Sequence, residues 1–446
     1  MKRFTLSQIA DACGGTYIGE HSLKETPVSS IERDSRNIKE NSLFLAIKGA
    51  RVDGHDFIEK CYEDGAICAL CEKAPKNPSK PYILVDDTLK AVKKIAKAYR
   101  ELFEIPIVGI SGSVGKTSTK EMISSVLSQK YKVHKTQGNL NNELGVPLTL
   151  FGMDDDTEVA VIEMGISDFG EMSRISEMVQ PTIEVITIIG ECHLENLGDR
   201  NGVFKAKTEM FDNLRIGGTV ILNGDDDKLN KVSAVKGNAP IFYGFHHGAY
   251  RAENVTNNGV LGVDADLLFD GQRLSVTIPA IGTYMVNNAL AAAAVGRTLG
   301  LTSEEIKRGI AAYKTVGSRA NLINTGKISI IDDCYNANPN SMKASIDTLM
   351  NFEGRKVAIL GDMKELGENE SELHLGVGRH AQCCDMVIAV GPLAEKIAEG
   401  AGGIHFETKD ELFAQLKSLI KVGDVVLVKA SHSMQFEKIT EKLKEL

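Results

Sequence analysis

A chain of 446 residues with 43% apolar and 25% charged residues has ordinary globular composition and is long enough for about three domains. Its formal net charge of -9, with no basic block, argues against nucleic-acid binding, which needs clustered Lys and Arg to hold phosphates. No run of about eighteen apolar residues occurs, and the opening MKRFTLSQIADACGG turns polar too soon for a signal peptide. A cytoplasmic protein without membrane insertion is expected. The eight cysteines read as free thiols of a reducing compartment. The pairs Cys68/Cys71 and Cys383/Cys384 read as ordinary small residues, since no second pair completes a zinc site.

Residues 1–86 mix short strands with polar turns and predict a small α/β domain, with EKAPKNPSKP (72–81) approaching its boundary. Within it, Ser35, Arg36 and Lys48 of DSRNIKENSLFLAIKGARVDGHDFI (34–58) offer donors suited to a pyrophosphate, as an ordinary solvated surface also would. Residues 87–315 open with the amphipathic helix TLKAVKKIAKAYRELF. Next comes IPIVGISGSVGKTSTKEM (105–122), an apolar strand, a glycine-rich turn and a helix start. Such a turn aims backbone N–H groups and a helix N-terminus at phosphates, here through Gly112, Ser113, Val114, Gly115, Lys116, Thr117 and Ser118. Lys116 has the reach for the outer phosphates and the Thr117 hydroxyl suits Mg2+. The general G-x-x-x-x-G-K-[ST] spacing is not met, because Ile110 stands where its first glycine belongs.

After the turn, KTQGNLNNELGVPLTL (135–150) carries Thr136, Gly138, Asn139, Asn141 and Asn142, a cluster too amide-rich for a plain helix cap, so substrate contact is expected. Glu163 closes the strand EVAVIE, where a carboxylate beside a phosphate loop is suited to Mg2+. His193, in GECHLENLG, and Lys207, in FKAKTEMF, read by spacing alone as a structural histidine and a helix lysine whose stem snorkels to water. Residues 250–279 alternate as antiparallel strands, followed by two helices. The strand-helix rhythm of residues 316–446 predicts a second doubly wound unit, without G-x-G-x-x-G and so without a dinucleotide site.

Together these segments resemble the Mur ligase family, ATP-dependent enzymes that build the peptide of bacterial cell-wall precursors. GSVGKTS is similar to the family's phosphate loop, EMG to its acidic strand end, ECHLENLG to its metal histidine and AKTEMF to its modified lysine. KTQGNLNNELGVPLTL, DDCYNANPNSM and AILGDMKELGENESELH resemble the member that joins D-alanyl-D-alanine to UDP-N-acetylmuramoyl-tripeptide. The resemblance implies an α/β chain of three domains: a small α/β UDP-binding domain, a central P-loop ATPase-like domain with a mostly parallel sheet, and a C-terminal Rossmann-like doubly wound domain. It implies ATP and Mg2+, a CO2-derived carbamate on Lys207 that shares a metal with His193, and a monomer. It also implies that Asn288 contacts adenine, Arg319 the γ-phosphate and Asp333 the ribose, with Lys116, Lys207, Arg319 and His193 catalytic. Tyr284, Ala430 and His432 depart from the family pattern. A sister ligase adding one amino acid, a folylpolyglutamate-type ligase and a nucleotide switch are the rival readings. The switch lacks an N-K-x-D guanine-reading segment.

Overall fold

The computed structural model describes every residue of the chain except 50 and 77. Near the N-terminus five short strands form a mixed sheet in the order Thr16–Ile18, Tyr82–Leu84, Cys68–Cys71, Ser42–Leu45 and Ser30–Glu32. Thr16–Ile18 runs antiparallel to its neighbour and the other pairs run parallel. Cys68–Cys71 is buried along its whole length, as its apolar run requires. Burial pushes both thiols up, Cys71 to about 11, so the C-x-x-C pair is a piece of strand with unreactive sulfurs. All eight cysteines are free.

The amphipathic helix Thr88–Glu101 starts where the Asp87 carboxylate accepts the Lys90 N–H, an N-cap that satisfies one of the helix's orphan donors. Its apolar stripe, including Val92, Ile95 and Tyr99, is buried in a core that also holds Leu43 and Leu70 of the first sheet and Ile107 and Ile162 of the next. The first sheet is therefore fastened to the middle of the chain by a shared core. Arg100 of this helix is buried and donates to the carbonyls of Val179, Phe103 and Gln180, which compensates much of its desolvation.

Six parallel strands make the central sheet, in the order Ile241–Tyr243, Thr219–Asn223, Ile183–Ile186, Ile107–Ser111, Val159–Glu163 and Val133–Lys135. The half-buried edge strand Val133–Lys135 went unforeseen, since V-H-K shows no apolar run. Helices cover both faces, as buried parallel strands require. Met122 and Val126 of the helix Lys116–Leu127 and the alanines of Met285–Thr298 pack on one side; Ile175 and Val203 pack on the other. The expected antiparallel segment is the three-stranded sheet Arg251–Asn257, Val263–Phe269, Gln272–Ile278, whose middle strand strictly alternates inward and outward residues.

The last sheet follows the order Asn321–Asn324, Ser329–Asp332, Val425–Lys429, Lys356–Gly361, Met386–Val390, Ile404–Phe406. Its first strand is antiparallel and the rest are parallel. Alternate residues feed two cores, Ile331, Leu360 and Leu427 on one face and Ile330, Ile359 and Val426 on the other, which gives the doubly wound architecture.

One central-strand residue breaks the apolar rule. Glu184 is fully buried, and neither carboxyl oxygen has a hydrogen-bond partner among the described residues. Burial pushes its pKa up to about 9 from 4.5, against a small opposing pull from Lys236. The folded state thus holds a proton that the unfolded chain releases above 4.5, so stability is lost as pH rises from 4.5 toward 9. Glu184→Gln should match the parent near pH 4.5 and exceed it by about 3 kcal/mol at pH 7 in denaturant unfolding. Equal stability at both pH values would show that the carboxyl group is solvated.

Candidate active site

Parallel pairing sets the site. The register places Ile110 beside Glu163, so the strands Ile107–Ser111 and Val159–Glu163 end side by side at the carboxyl edge of the central sheet. The glycine-rich turn leaves the first, and the carboxylate ends the second. Gly112 has φ +145°, and a Cβ there would lie 1.9 Å from Thr187 Oγ1, so glycine is obligatory. Ile110, at the position of the missing general glycine, is a buried strand residue, and the turn starts only at Gly112. Gly115, at φ +84°, caps the helix Lys116–Leu127, whose first N–H groups lack intrahelical acceptors. Lys116 Nζ donates to the Gly112 carbonyl at 2.8 Å, folded back over the turn.

Glu163 is only 2% exposed, not the solvated carboxylate that a strand end usually presents. Its Oε2 accepts from Thr117 Oγ1 and its Oε1 from Asn141 Nδ2, both at 2.8 Å. Its N–H donates to Thr136 Oγ1 at 2.9 Å. Thr136 is wholly buried, which corrects the expectation of substrate contact: the side chain braces Glu163 from behind. Asn141 and Asn142 line the cleft, but Asn139 is exposed and stands outside its lining. The Asn142 side-chain Oδ1 also accepts from Gly145 N–H at 2.8 Å, turning the chain into the next helix.

A cleft of about 560 Å³ runs from this edge to the last sheet. On the far wall the Arg319 guanidinium lies 3.6 Å from the centre of the Tyr335 ring, and His432 packs on Tyr335 at 5.6 Å. Asp333 accepts from the Ala320 N–H, from Ser345 Oγ at 2.5 Å and from the buried Lys429 at 2.6 Å. Asn288 is buried, accepting from Thr119 Oγ1 and donating to Met285 Sδ, which ties it to the phosphate-loop helix. Ser113, Val114, Gly115, Lys116, Thr117 and Ser118 share this cleft with Asn288, Arg319 and Asp333; Tyr284 lines it too. Ala430 is buried against Phe436 instead. Ser35, Arg36 and Lys48 lie outside the cleft lining. Arg36, with an 85% exposed side chain, already forks onto Asp34, whose carboxyl it holds down at about 2.

His193 takes φ +52° and its Nδ1 lies 2.6 Å from Glu365 Oε2, a close polar contact without hydrogen-bond alignment. Lys207 corrects a second expectation. It is 1% exposed, so its ammonium does not snorkel to water. Burial pulls its pKa down to about 8, the nearby Lys116 charge adding to that and Cys192 opposing it. No acidic side chain among the described residues pairs with it. Sequence reasoning also passed over Lys120, Tyr335, Asn340, Glu365 and Lys429. For Lys429 a signal existed, a cation ending the apolar strand Val425–Lys429 beside the strand that leads to Asp333.

The fit to a cation is set by chemistry. Among the described residues no three His, Cys, Asp or Glu side chains converge as a ready-made metal cage. Mg2+ does not need one: it favours one or two carboxylates plus phosphate and water oxygens, and Glu163 with the Thr117 hydroxyl suits that demand.

An unpaired buried ammonium costs stability below pH 8, where the amine is charged in both folded and unfolded chains. In CO2-free buffer Lys207→Met should therefore be more stable than the parent at pH 7 by up to about 3 kcal/mol. The gain should fade between pH 8 and 10.5, above which the amine is neutral in both states. A gain independent of pH would mean that the charge is not what the substitution relieves.

Three family models match successive stretches: residues 27–100 "Mur ligase family, catalytic domain", 110–296 "Mur ligase middle domain" and 318–432 "Mur ligase, glutamate ligase domain". The chain is 37% identical to the Bacillus subtilis protein named "UDP-N-acetylmuramoyl-tripeptide--D-alanyl-D-alanine ligase", covering 100% of this chain and 99% of that one. Among solved structures it is similar to MurF from Acinetobacter baumannii, with a TM-score of 0.93 and 31% identity over 100% of both chains. It is also similar to MurF ligase from Thermotoga maritima in complex with ADP, with a TM-score of 0.85 and 30% identity over 93% of this chain and 97% of that one. The chain belongs to the Mur ligase family.

Proposed function

We propose that this protein is the ATP-dependent ligase that joins D-alanyl-D-alanine to UDP-N-acetylmuramoyl-tripeptide in peptidoglycan precursor synthesis. One observation carries the reading: a single cleft brings the phosphate loop with Lys116 opposite Arg319 of the following domain. The full-length similarity to a ligase of that name, and to a MurF ligase solved with ADP, supplies the substrates.

A carboxylate does not condense with an amine at neutral pH, because its oxygen is a poor leaving group. In this reading the tripeptide's terminal carboxylate attacks the γ-phosphorus of ATP, an acyl phosphate forms and ADP leaves. Lys116, Arg319 and the N–H groups opening the helix Lys116–Leu127 meet the charge that spreads over the transferring oxygens. The dipeptide amine then attacks the acyl carbon, losing a proton as the C–N bond forms and phosphate departs. Tyr335 holds the Arg319 guanidinium over its ring, which limits the rotamers that arginine must give up.

Glu163 and Thr117 would hold Mg2+, which when bound neutralises phosphate charge. His193 and Lys207 would serve a second ion. The buried, partly neutral amine of Lys207 suits addition to CO2: an N–C bond forms, a proton leaves, and a cation becomes an anionic oxygen pair. Asn288 is assigned to adenine, Asp333 to ribose, Ser35, Arg36 and Lys48 to the UDP end, and Asn139 and Asn142 to the peptide. The functional units are taken as 1–86, 87–315 and 316–446, in a cytoplasmic monomer. No helix among the described residues is long and apolar enough to cross a membrane.

Phosphate release should require ATP, Mg2+, tripeptide nucleotide and dipeptide together; rapid GTP hydrolysis with neither acceptor present would favour a switch protein instead. Arg319→Ala should lower kcat by about a hundredfold or more, the scale of one lost charge-stabilising donor. Its melting temperature should stay near the parent's. Lys116→Ala and Glu163→Ala should likewise abolish turnover without unfolding. Lys207→Ala should be inactive and regain part of its turnover in excess acetate or formate. Parent-like turnover in Lys207→Ala, with no response to bicarbonate, would end the carbamate assignment.

A further inference from the structure

Lys120 has no part in the chemistry above, yet it is among the most completely buried charged side chains of the molecule, at 1% exposure. It lies one turn beyond Lys116 on the phosphate-loop helix, and its Nζ donates to the Thr136 carbonyl at 2.7 Å. The same nitrogen stands 3.2 Å from Glu121 Oε1 and 3.8 Å from Glu163 Oε2. Lys135 closes the group by pairing with the other oxygen of Glu121. Two cations therefore balance two carboxylates in a region from which water is largely excluded.

From this geometry we propose that Lys120 is a positioning residue for Glu163, tuning the grip of that carboxylate on a nucleotide-borne divalent cation. The proposal rests on the reading of Glu163 as the cation-holding group. Burying a lysine is costly, and a core methionine of similar length would fill the space without that cost. What the amine adds is two links to Glu163, one to its main chain and one to its carboxylate. The first runs through Thr136, whose carbonyl accepts from Lys120 while its hydroxyl accepts the Glu163 N–H, so one residue locks the end of the strand Val159–Glu163 to the phosphate-loop helix. The second is electrostatic. At 3.8 Å Lys120 lies beyond hydrogen-bonding range of Oε2, so it attracts the negative charge without occupying the lone pair that Thr117 touches and a cation would need. Removing the amine leaves Glu121 and Glu163 as buried carboxylates short of one cation, with the Thr136 carbonyl unpaired.

The test is calorimetric binding of ADP with and without Mg2+, a readout independent of turnover. In the parent and in Glu163→Gln it first measures how much Mg2+ tightens ADP through Glu163. Lys120→Met should lose that Mg2+-dependent tightening by about tenfold or more, the scale for groups that support metal ligands. Its affinity for ADP without Mg2+ should stay at the parent's value, which also certifies the fold. Thr136→Val keeps the lysine and its carbonyl acceptor but removes the hydroxyl behind Glu163. It should shift in the same direction; if Lys120→Met does not fold, Lys120→Gln, which keeps a donor for the Thr136 carbonyl but removes the charge, decides the matter. Full Mg2+ tightening in these variants, alongside its loss in Glu163→Gln, would overturn the role of Lys120. Full tightening in Glu163→Gln would instead overturn the reading of Glu163 on which that role depends.

Discussion

The hydrogen bond from Thr117 to Glu163 is the constraint on which the rest of the site depends. It joins the first turn of a helix to the end of a neighbouring strand, and it can form only because the strands Ile107–Ser111 and Val159–Glu163 are adjacent and parallel. Parallel pairing brings their carboxyl ends to one edge, and Gly112 lets the chain turn within contact distance of Thr187. A hydroxyl and a carboxylate that meet at 2.8 Å, below a helix N-terminus, are poised for a cation carrying phosphates. Thr136 takes the Glu163 N–H, Asn141 its other oxygen, and Lys120 stands near the oxygen that Thr117 touches.

The second half of the site belongs to the last sheet, and several contacts hold the two halves together. Asn340 accepts the Glu191 N–H, and Glu365 meets His193. Behind the cleft wall, Lys429 and Ser345 hold Asp333, while Arg319 lies over the Tyr335 ring, against which His432 packs at a tilt. In the proposed role Arg319 meets transferring phosphate from an aromatic seat, and that seating lowers the entropy lost on binding. His193 stands at the central edge and against Glu365, so it touches both halves of the cleft.

Much of this was legible in the sequence, for definable reasons. Apolar strands separated by amphipathic helices announced parallel sheets, and the turn GSVGKTS announced an anion site because glycine, lysine and threonine each have a distinct task there. Lys116, Thr117 and Arg319 were singled out on local pattern or resemblance, and all three line one cleft. What stayed hidden depends on contacts distant in sequence. Thr136 seemed to offer a hydroxyl to substrate, but its neighbours bury it. Lys207 read as a surface lysine because nothing local reveals that the helix Arg200–Thr208 turns that face inward. Lys120 and Lys429 find their partners 16 and 96 residues away, and only Lys429, ending an apolar strand, carries a local sign of it. Short strands with polar ends, such as Val133–Lys135 and Asn321–Asn324, owe their form to pairing and give no periodic signal.

The central claim is that a carboxylate oxygen of one substrate passes to the phosphoryl group of ATP before the amide forms. The direct measurement is to supply UDP-N-acetylmuramoyl-tripeptide carrying heavy oxygen in its terminal carboxylate, together with ATP, Mg2+ and D-alanyl-D-alanine, and to weigh the released phosphate. Attack by the carboxylate predicts one heavy oxygen in each phosphate formed from labelled substrate. Phosphate of ordinary mass, released at the same rate, would mean that water attacks ATP and that the cleft runs a hydrolase instead of a ligase.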